Sequence, residues 1–150
     1  MKTITTSETA LTAAGILFLC TSTGNFLIIH RSPDVVDPSC WCGPGGKLEI
    51  RETPIQAAIR ESNEEIGFPM LSFEQIKNPN TIHQLYLYTS PSLVFHNYLY
   101  LVDKEFVPTL NDESSGYVWT NKMMEPAHYG LRAIFNNDKA VSKINEWRKQ

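Results

Sequence analysis

Apolar residues along this chain come in short runs separated by polar turns. Leu11–Leu19 and Phe26–Arg31 are each long enough for a strand, and the intervening Thr21–Asn25 segment is typical of a turn. These three segments predict a β-hairpin near the start of the chain. Further strands are predicted where Tyr, Val and Leu are frequent, at Gln84–Thr89, Val94–Val102 and Tyr117–Trp119.

Helix signals follow the first hairpin. Thr53, Pro54 and Gln56 match the N-cap, the first helical position and the third position of a capping box. Gly67 matches the residue at which a helix stops. These signals predict a helix over Pro54–Ile66, which is about three and a half turns.

Apolar periodicity predicts which sides of two helices face the core. In the first helix, Ile55, Ile59 and Ile66 share one stripe, and Ser62 falls on the same stripe. A final amphipathic helix is predicted over Ala140–Lys149, with Ile144 and Trp147 directed inward.

Three glutamates, Glu61, Glu64 and Glu65, gather on one face of the first helix. Like charges three or four residues apart cost a few tenths of a kcal/mol per pair in an isolated helix. Arg60 supplies one positive charge against three. A divalent cation that prefers oxygen ligands, Mg²⁺ or Mn²⁺, would offset the rest. The structural alternative is an acidic helix face that is simply solvated.

The glutamates belong to a longer pattern, the 23 residues GKLEIRETPIQAAIRESNEEIGF from Gly46 to Phe68. This segment resembles the Nudix box of the Nudix hydrolases. At residue frequencies of about 5 to 8%, a chance match at seven fixed positions is on the order of one in 10⁸. Ser62 stands where the family has a large aliphatic residue, which bears on packing rather than on the metal site. The seven matching positions are Gly46, Glu52, Arg60, Glu61, Glu64, Glu65 and Gly67.

The resemblance implies a Nudix fold, an α/β/α sandwich with a central mixed sheet, formed as a single domain over residues 1–150. It also implies that metal ions held by the helix would neutralise charge on a diphosphate and activate the attacking water. By the same resemblance, Arg60 and Glu52 would orient the loop and the helix. The implied metal ligands are Gly45, through its carbonyl, and Glu61, Glu64 and Glu65.

A carboxylate outside the box often serves as base or extra ligand in this family. Glu113 is the candidate, because the acidic segment Leu110–Glu113 precedes Trp119 in the way that the family's acidic segment precedes a late strand. Asp112 could exchange roles with it. The structural alternative is a loop carboxylate exposed to water.

Two side chains are candidates for substrate binding. Tyr86 lies 18 residues after Phe68, where the family's dinucleoside polyphosphate hydrolases carry a tyrosine, and it could stack on adenine. A β-sheet face explains the same tyrosine without a ligand. His128 falls in a loop region that often borders the substrate pocket in this family.

The resemblance therefore implies Mg²⁺-dependent cleavage of a nucleoside diphosphate linked to another moiety, such as ADP-ribose, a diadenosine polyphosphate, FAD or NAD(H). Hydrolysis of nucleoside triphosphates is the second interpretation. Hydrolysis of an RNA 5′-cap and nucleotide binding without catalysis are weaker ones. Modules of the last kind commonly lose box glutamates, and here all remain.

The composition indicates which classes of molecule this chain is expected to bind. The 150 residues are 42% apolar and 19% charged, as in ordinary globular domains, and a net charge of −3 does not favour a long nucleic acid. The three cysteines, Cys20, Cys40 and Cys42, complete no zinc pattern, and we assign them no chemistry. Cys40 and Cys42 are interpreted as local packing beside the glycine turn. Because no apolar run is long enough to span a bilayer, we expect a soluble, cytoplasmic protein. The resemblance to the family is also compatible with a homodimer.

Overall fold

The computed structural model describes residues 11–67 and 82–148. Phe68, at the end of the box, and Lys149, at the end of the final predicted helix, lie outside the described residues. Within these ranges the strands are β1 (Leu11–Cys20), β2 (Phe26–Arg31), β3 (Trp41–Cys42), β4 (Gly45–Lys47), β5 (Ile82–Thr89), β6 (Leu93–Val102) and β7 (Ser114–Thr120). The helices are α1 (Pro54–Ile66), α2 (Tyr129–Phe135) and α3 (Asp138–Arg148).

The strands form one mixed sheet, in the order β3-β2-β1-β6-β5, with β7 paired to β2. Its centre is the parallel pair β1 and β6, aligned from Leu11 opposite Leu93 to Cys20 opposite Val102. Near its C-terminal end, β1 pairs antiparallel with β2, which confirms the predicted hairpin. Near its N-terminal end, β1 pairs with β4 instead, from Ala13 to Gly15. This second pairing attaches the glycine-rich turn to the central sheet.

Helices cover both faces of the sheet. Alternate residues of β1, including Ile16 and Phe18, pack on one side in the same apolar cluster as Ile59 and Ile66 of α1. The intervening residues, such as Leu17, pack on the other side with apolar residues of α2 and α3. The predicted α/β/α sandwich around a mixed sheet is thereby confirmed.

The predicted bounds and caps of α1 are confirmed. Thr53 and Gln56 form the capping box, because each side chain accepts a hydrogen bond from the backbone N–H of the other residue, at 3.3 and 3.0 Å. Gly67 ends the helix with a φ of +61°, a left-handed conformation that glycine adopts without strain. Ser62 is completely buried, and its hydroxyl donates to the carbonyl of Ala58 at 2.8 Å. The departure from the family pattern is thus accommodated inside the helix.

The last helix packs as predicted. Ile144 is buried, and Trp147 lies partly buried with its ring centroid 5.1 Å from that of His83. The cysteines Cys20, Cys40 and Cys42 are buried and free. None of the helices in residues 11–67 and 82–148 has the length and apolar content that a membrane span requires.

Three short elements were not predicted. Strands β3 and β4 have two and three residues, too few for an alternating pattern. Helix α2 has seven residues, and Gly130 at its second position hides the helical period. The loop predicted around His128 is therefore wrong from Tyr129 onward, because His128 is the N-cap of α2.

Candidate active site

The glycine turn lies directly against helix α1. The backbone N–H of Gly45 donates to the Glu65 carboxylate at 3.1 Å. At Gly46 any Cβ would overlap the carboxylate of Glu61, so this position admits only glycine without displacing the side chain. The pairing of β4 with β1 attaches the turn to the central sheet. The glycine turn and the acidic face of α1 are therefore in direct contact.

Arg60 links the glycine turn, the loop before α1 and the acidic face of α1. Its guanidinium holds Glu52 through two hydrogen bonds, of 2.7 and 3.0 Å, and Glu61 through a third, of 2.9 Å. It also donates to the carbonyl of Lys47 at 3.0 Å and reaches Glu64 at 3.4 Å. The hydrogen bond with Arg60 lowers the pKa of the Glu52 carboxyl and raises that of the guanidinium. The structure thus contains the bracing contacts between loop and helix that were expected of Arg60 and Glu52.

Glu65 is the buried member of the acidic group, with 5% of its surface exposed. Burial, together with a hydrogen bond to Glu61 and its negative charge, raises the pKa of Glu65 to about 9. The Gly45 N–H acts in the opposite direction. Without a cation, this carboxyl is protonated at neutral pH. A divalent cation would reverse the balance, because it favours the ionised form of its ligands.

Glu113 comes close enough to Glu65 for its negative charge to contribute to that raised pKa. Its loop is held to the end of β2, since the N–H of Ser32 donates to the Glu113 carbonyl at 2.9 Å. The Asn111 side chain accepts the Glu113 N–H at 3.1 Å and shapes the turn. Asp112 and Glu113 are both exposed. The contribution of Glu113 to the Glu65 pKa favours it over Asp112 as the carboxylate near the box, and its role in catalysis stays a prediction.

The acidic group fits a hard cation by the type of its ligands, which are carboxylate oxygens. Glu61 lies close enough to Glu65 to raise its pKa, and both side chains lie beside the glycine turn. Among the described residues, however, no group of three or more His, Cys, Asp or Glu side chains is arranged to hold a metal ion. In this arrangement Arg60 engages Glu61 and Glu64, and the Gly45 N–H engages Glu65. The metal-ligand assignment stays a prediction.

A cavity of about 270 Å³ extends from the glycine turn to helix α2. His128 lies at its far side and is largely buried, which lowers its pKa. The ring of Tyr129 lies against that of His128, with centroids 4.1 Å apart and planes 32° apart. Residues that line this cavity include Gly45, Gly46, Phe95, Asn97, His128 and Tyr129.

Tyr86 lines a second cavity, of about 380 Å³, together with Lys139 and Lys143 of α3. A β-bulge between Gln84 and Tyr86 shifts the register, so Tyr86 pairs with Asn97. Asn97 borders both cavities. The structure thus brings Tyr86 next to the cavity of the glycine turn but not into it. Its contact with a base stays a prediction.

Sequence reasoning missed part of the lining of the first cavity. Phe95 and Asn97 read as ordinary strand residues, and Tyr129 as part of a loop. Arg31 and Asp37 also line it. Arg31 precedes the Pro/Asp/Ser loop and Asp37 lies within it, and that loop has no spacing pattern. Their position depends on contacts between distant segments, for which the sequence carries no local signal.

Comparisons with known proteins agree with this geometry. The family model of the NUDIX domain matches residues 9–140. A curated 8-oxo-dGTP diphosphatase from Proteus vulgaris is 46% identical over 55 residues, which are 37% of this chain and 47% of that protein. The match thus spans about half the length of that relative.

Solved structures share the fold. The Nudix hydrolase RenU from M. smegmatis aligns with a TM-score of 0.66 and 24% identity, over 89% of this chain and 86% of that one. A bifunctional NMN adenylyltransferase/ADP ribose pyrophosphatase from Francisella tularensis, complexed with AMP and a Mn ion, aligns with a TM-score of 0.63 and 22% identity. That alignment covers 91% of this chain and 42% of the other. At these identities the likeness concerns the fold alone. Because the family model covers most of the chain, the protein belongs to the NUDIX family.

Proposed function

We propose that this chain is a Mg²⁺- or Mn²⁺-dependent pyrophosphohydrolase that cleaves the diphosphate linkage of a small nucleotide. The proposed substrate is a nucleoside diphosphate joined to another moiety, of the ADP-ribose, diadenosine polyphosphate, FAD or NAD(H) type. Membership of the NUDIX family supports the reaction class.

One observation carries the proposal. Gly45 and Gly46 border the cavity with their backbone, and the same two residues contact the carboxylates of Glu65 and Glu61. A nucleoside in the cavity would therefore have its phosphates beside the acidic face of α1. Backbone without side chains lets phosphate oxygens approach closely at such a turn.

The residues of the chain divide the work as follows. Glu61, Glu64 and Glu65, with the Gly45 carbonyl, would hold the cation, and Arg60 would keep the carboxylates aligned. When bound, Mg²⁺ supplies positive charge against the diphosphate oxygens and makes water a better nucleophile near neutral pH. Glu113 would accept the proton of the attacking water. Helix α2, which lines one side of the cavity, would reduce access of bulk water to a bound nucleotide.

The second cavity supports a conjugate as the substrate. It adjoins the first at Asn97 and offers the Tyr86 ring beside two lysines, Lys139 and Lys143. An aromatic ring next to cations suits a second base or sugar that carries a phosphate. The nucleoside end would then occupy the first cavity and the other moiety the second.

A nucleoside triphosphate is the second candidate substrate. It is supported by the Proteus vulgaris relative, which is named an 8-oxo-dGTP diphosphatase. In that case the first cavity alone would suffice. A capped RNA end is a further candidate substrate, and a homodimer and a cytoplasmic location stay predictions from the sequence.

The test is product analysis by mass spectrometry with Mg²⁺. The panel contains ADP-ribose, diadenosine tri- and tetraphosphate, FAD, NADH and the nucleoside triphosphates, including 8-oxo-dGTP. AMP plus a phosphorylated partner would support the conjugate proposal, whereas monophosphate plus pyrophosphate would support the second candidate. Glu64→Gln serves as the inactive control, and nucleotide binding without turnover in the wild type would contradict both.

A further inference from the structure

The loop between β2 and β3 is held against the first cavity by Arg31. The Nε–H of Arg31 donates to the carbonyls of Val36 and Asp37, at 2.9 and 3.0 Å. Asp37 itself has a φ of +52°, a left-handed conformation that side-chain-bearing residues rarely adopt. Arg31 and Asp37 both line the cavity. The surrounding contacts thus hold Asp37 in a conformation that its backbone does not prefer.

Asp37 contacts His128 across the loop. The Oδ2 atom of Asp37 lies 3.2 Å from Nε2 of His128. The other ring nitrogen, Nδ1, accepts the backbone N–H of Gly130 at 3.1 Å. A backbone N–H can only donate, so Nδ1 carries no proton in this arrangement. The proton of the neutral ring therefore lies on Nε2, where it is donated to Asp37.

His128 in turn supports an aromatic wall of the cavity. The half-exposed Tyr129 ring lies against the imidazole, 4.1 Å between centroids. The ring of Phe95 packs tightly against the first turn of α2, because a Cβ at Gly130 would overlap it. Both Tyr129 and Phe95 face the cavity, and flat aromatic surfaces are suited to stacking on a nucleobase.

We propose that Asp37 is a positioning residue for the nucleoside end of the substrate. By accepting the Nε2 proton it holds the orientation of the His128 ring, whose tautomer the Gly130 N–H already fixes, and His128 holds the Tyr129 ring as the surface on which the base stacks. This assignment rests on the proposed function, because it requires a nucleoside in the first cavity. Asp37 would act on affinity for the base and leave the cleavage step unchanged.

The kinetic test separates the base from the diphosphate. Asp37→Ala should raise KM, and raise Ki for AMP or GMP as inhibitor, by about tenfold, with kcat changed by less than about threefold. Ki for inorganic pyrophosphate, which has no base, should not change. Asp37→Asn keeps an oxygen that can accept the Nε2 proton and should remain near the wild type. Asp34→Ala, an exposed carboxylate of the same loop, is the matched control.

Two further measurements test the route through His128 and Tyr129. Nitrogen-15 NMR of histidine-labelled protein should show a His128 Nε2–H that is protected from exchange with water in the wild type and in Asp37→Asn, and one that exchanges rapidly in Asp37→Ala, where its acceptor is lost. In a Tyr129→Ala background, Asp37→Ala should add little to the loss of nucleotide affinity, because both changes remove the same surface.

Three results would overturn the assignment. The first is an Asp37→Ala protein that matches Asp34→Ala in nucleotide affinity while the wild type binds nucleotide normally. The second is full additivity with Tyr129→Ala, which would mean that Asp37 contacts the substrate directly. The third is a His128 Nε2–H that exchanges with water equally slowly in Asp37→Ala and in the wild type. A wild type that binds no nucleotide would instead refute the proposed function itself, and the NMR result would still report on Asp37 and His128.

Discussion

Replacing Glu65 with glutamine should stabilise the metal-free protein while it abolishes activity. The pKa of Glu65 is raised, chiefly by burial and then by Glu61, from 4.5 to about 9. The carboxyl is therefore protonated in the folded protein and ionised in the unfolded chain at neutral pH. Such a group costs no stability below its unfolded pKa, and the cost grows as pH rises towards the folded pKa. Glutamine is neutral in both states, so it removes this cost.

The magnitude follows from the pH interval. At pH 7.5 the unfolded carboxyl is three pH units above its pKa, and each unit is worth about 1.4 kcal/mol, so the ceiling is about 4 kcal/mol. Side-chain rotation and water entry relieve part of this in the folded protein. We expect a gain of about 1 to 2 kcal/mol, or a rise of about 2 to 8 °C in Tm for a domain of this size. Glutamine can still accept the Gly45 N–H and donate to Glu61.

The assay is thermal unfolding in EDTA between pH 5 and 8.5. The Tm of Glu65→Gln should exceed that of the wild type at pH 7.5, and the difference should shrink towards pH 5. Glu64→Gln is the matched control, because the same change is made one residue earlier on a side chain that is 54% exposed. Added Mg²⁺ should raise the Tm of the wild type more than that of Glu65→Gln.

A Glu65→Gln protein that melts at or below the wild-type temperature in EDTA at pH 7.5 would refute this reasoning. An equal gain in Tm for Glu64→Gln would refute it too, because the gain would then come from the change in net charge rather than from the burial of Glu65.

Two substitutions test how the box is braced. Arg60→Lys loses the paired hydrogen bonds to Glu52, so unfolding by urea should show a loss of about 1 to 2 kcal/mol, with kcat/KM reduced at least about tenfold. Unchanged stability and activity would contradict the bracing role. Gly46→Ala drives a methyl group into the Glu61 carboxylate and should lower kcat by about 100-fold in steady-state assays. Gly116→Ala, which meets no atom within 4 Å, is the control and should retain activity.

The sequence predicted those parts of the site whose residues are close along the chain. The box from Gly46 to Gly67 lies on one turn and one helix, so its spacing determines its geometry. The capping residues Thr53 and Gln56 act within a single helical turn and marked the start of α1 correctly. Long strands were also predicted to within two or three residues, because burial on the sheet leaves a repeated pattern.

The remaining features depend on contacts between distant segments. Asp37 and His128 are 91 residues apart, so no spacing links them. The β-bulge before Tyr86 changes the register by one residue and pairs it with Asn97, which alternation alone does not reveal. Helix α2 is defined by its packing against the sheet rather than by its own seven residues.

The most direct test of the central claim is hydrolysis of the best substrate of the panel in H₂¹⁸O, with wild type and Glu64→Gln compared in Mg²⁺ and in EDTA. The account predicts one ¹⁸O atom in one of the two phosphate-containing products. It also predicts that turnover requires Mg²⁺ and falls at least about 100-fold in Glu64→Gln. Turnover that persists in EDTA, or that is unaffected by Glu64→Gln, would contradict the assignment of the box as the metal-dependent catalytic centre.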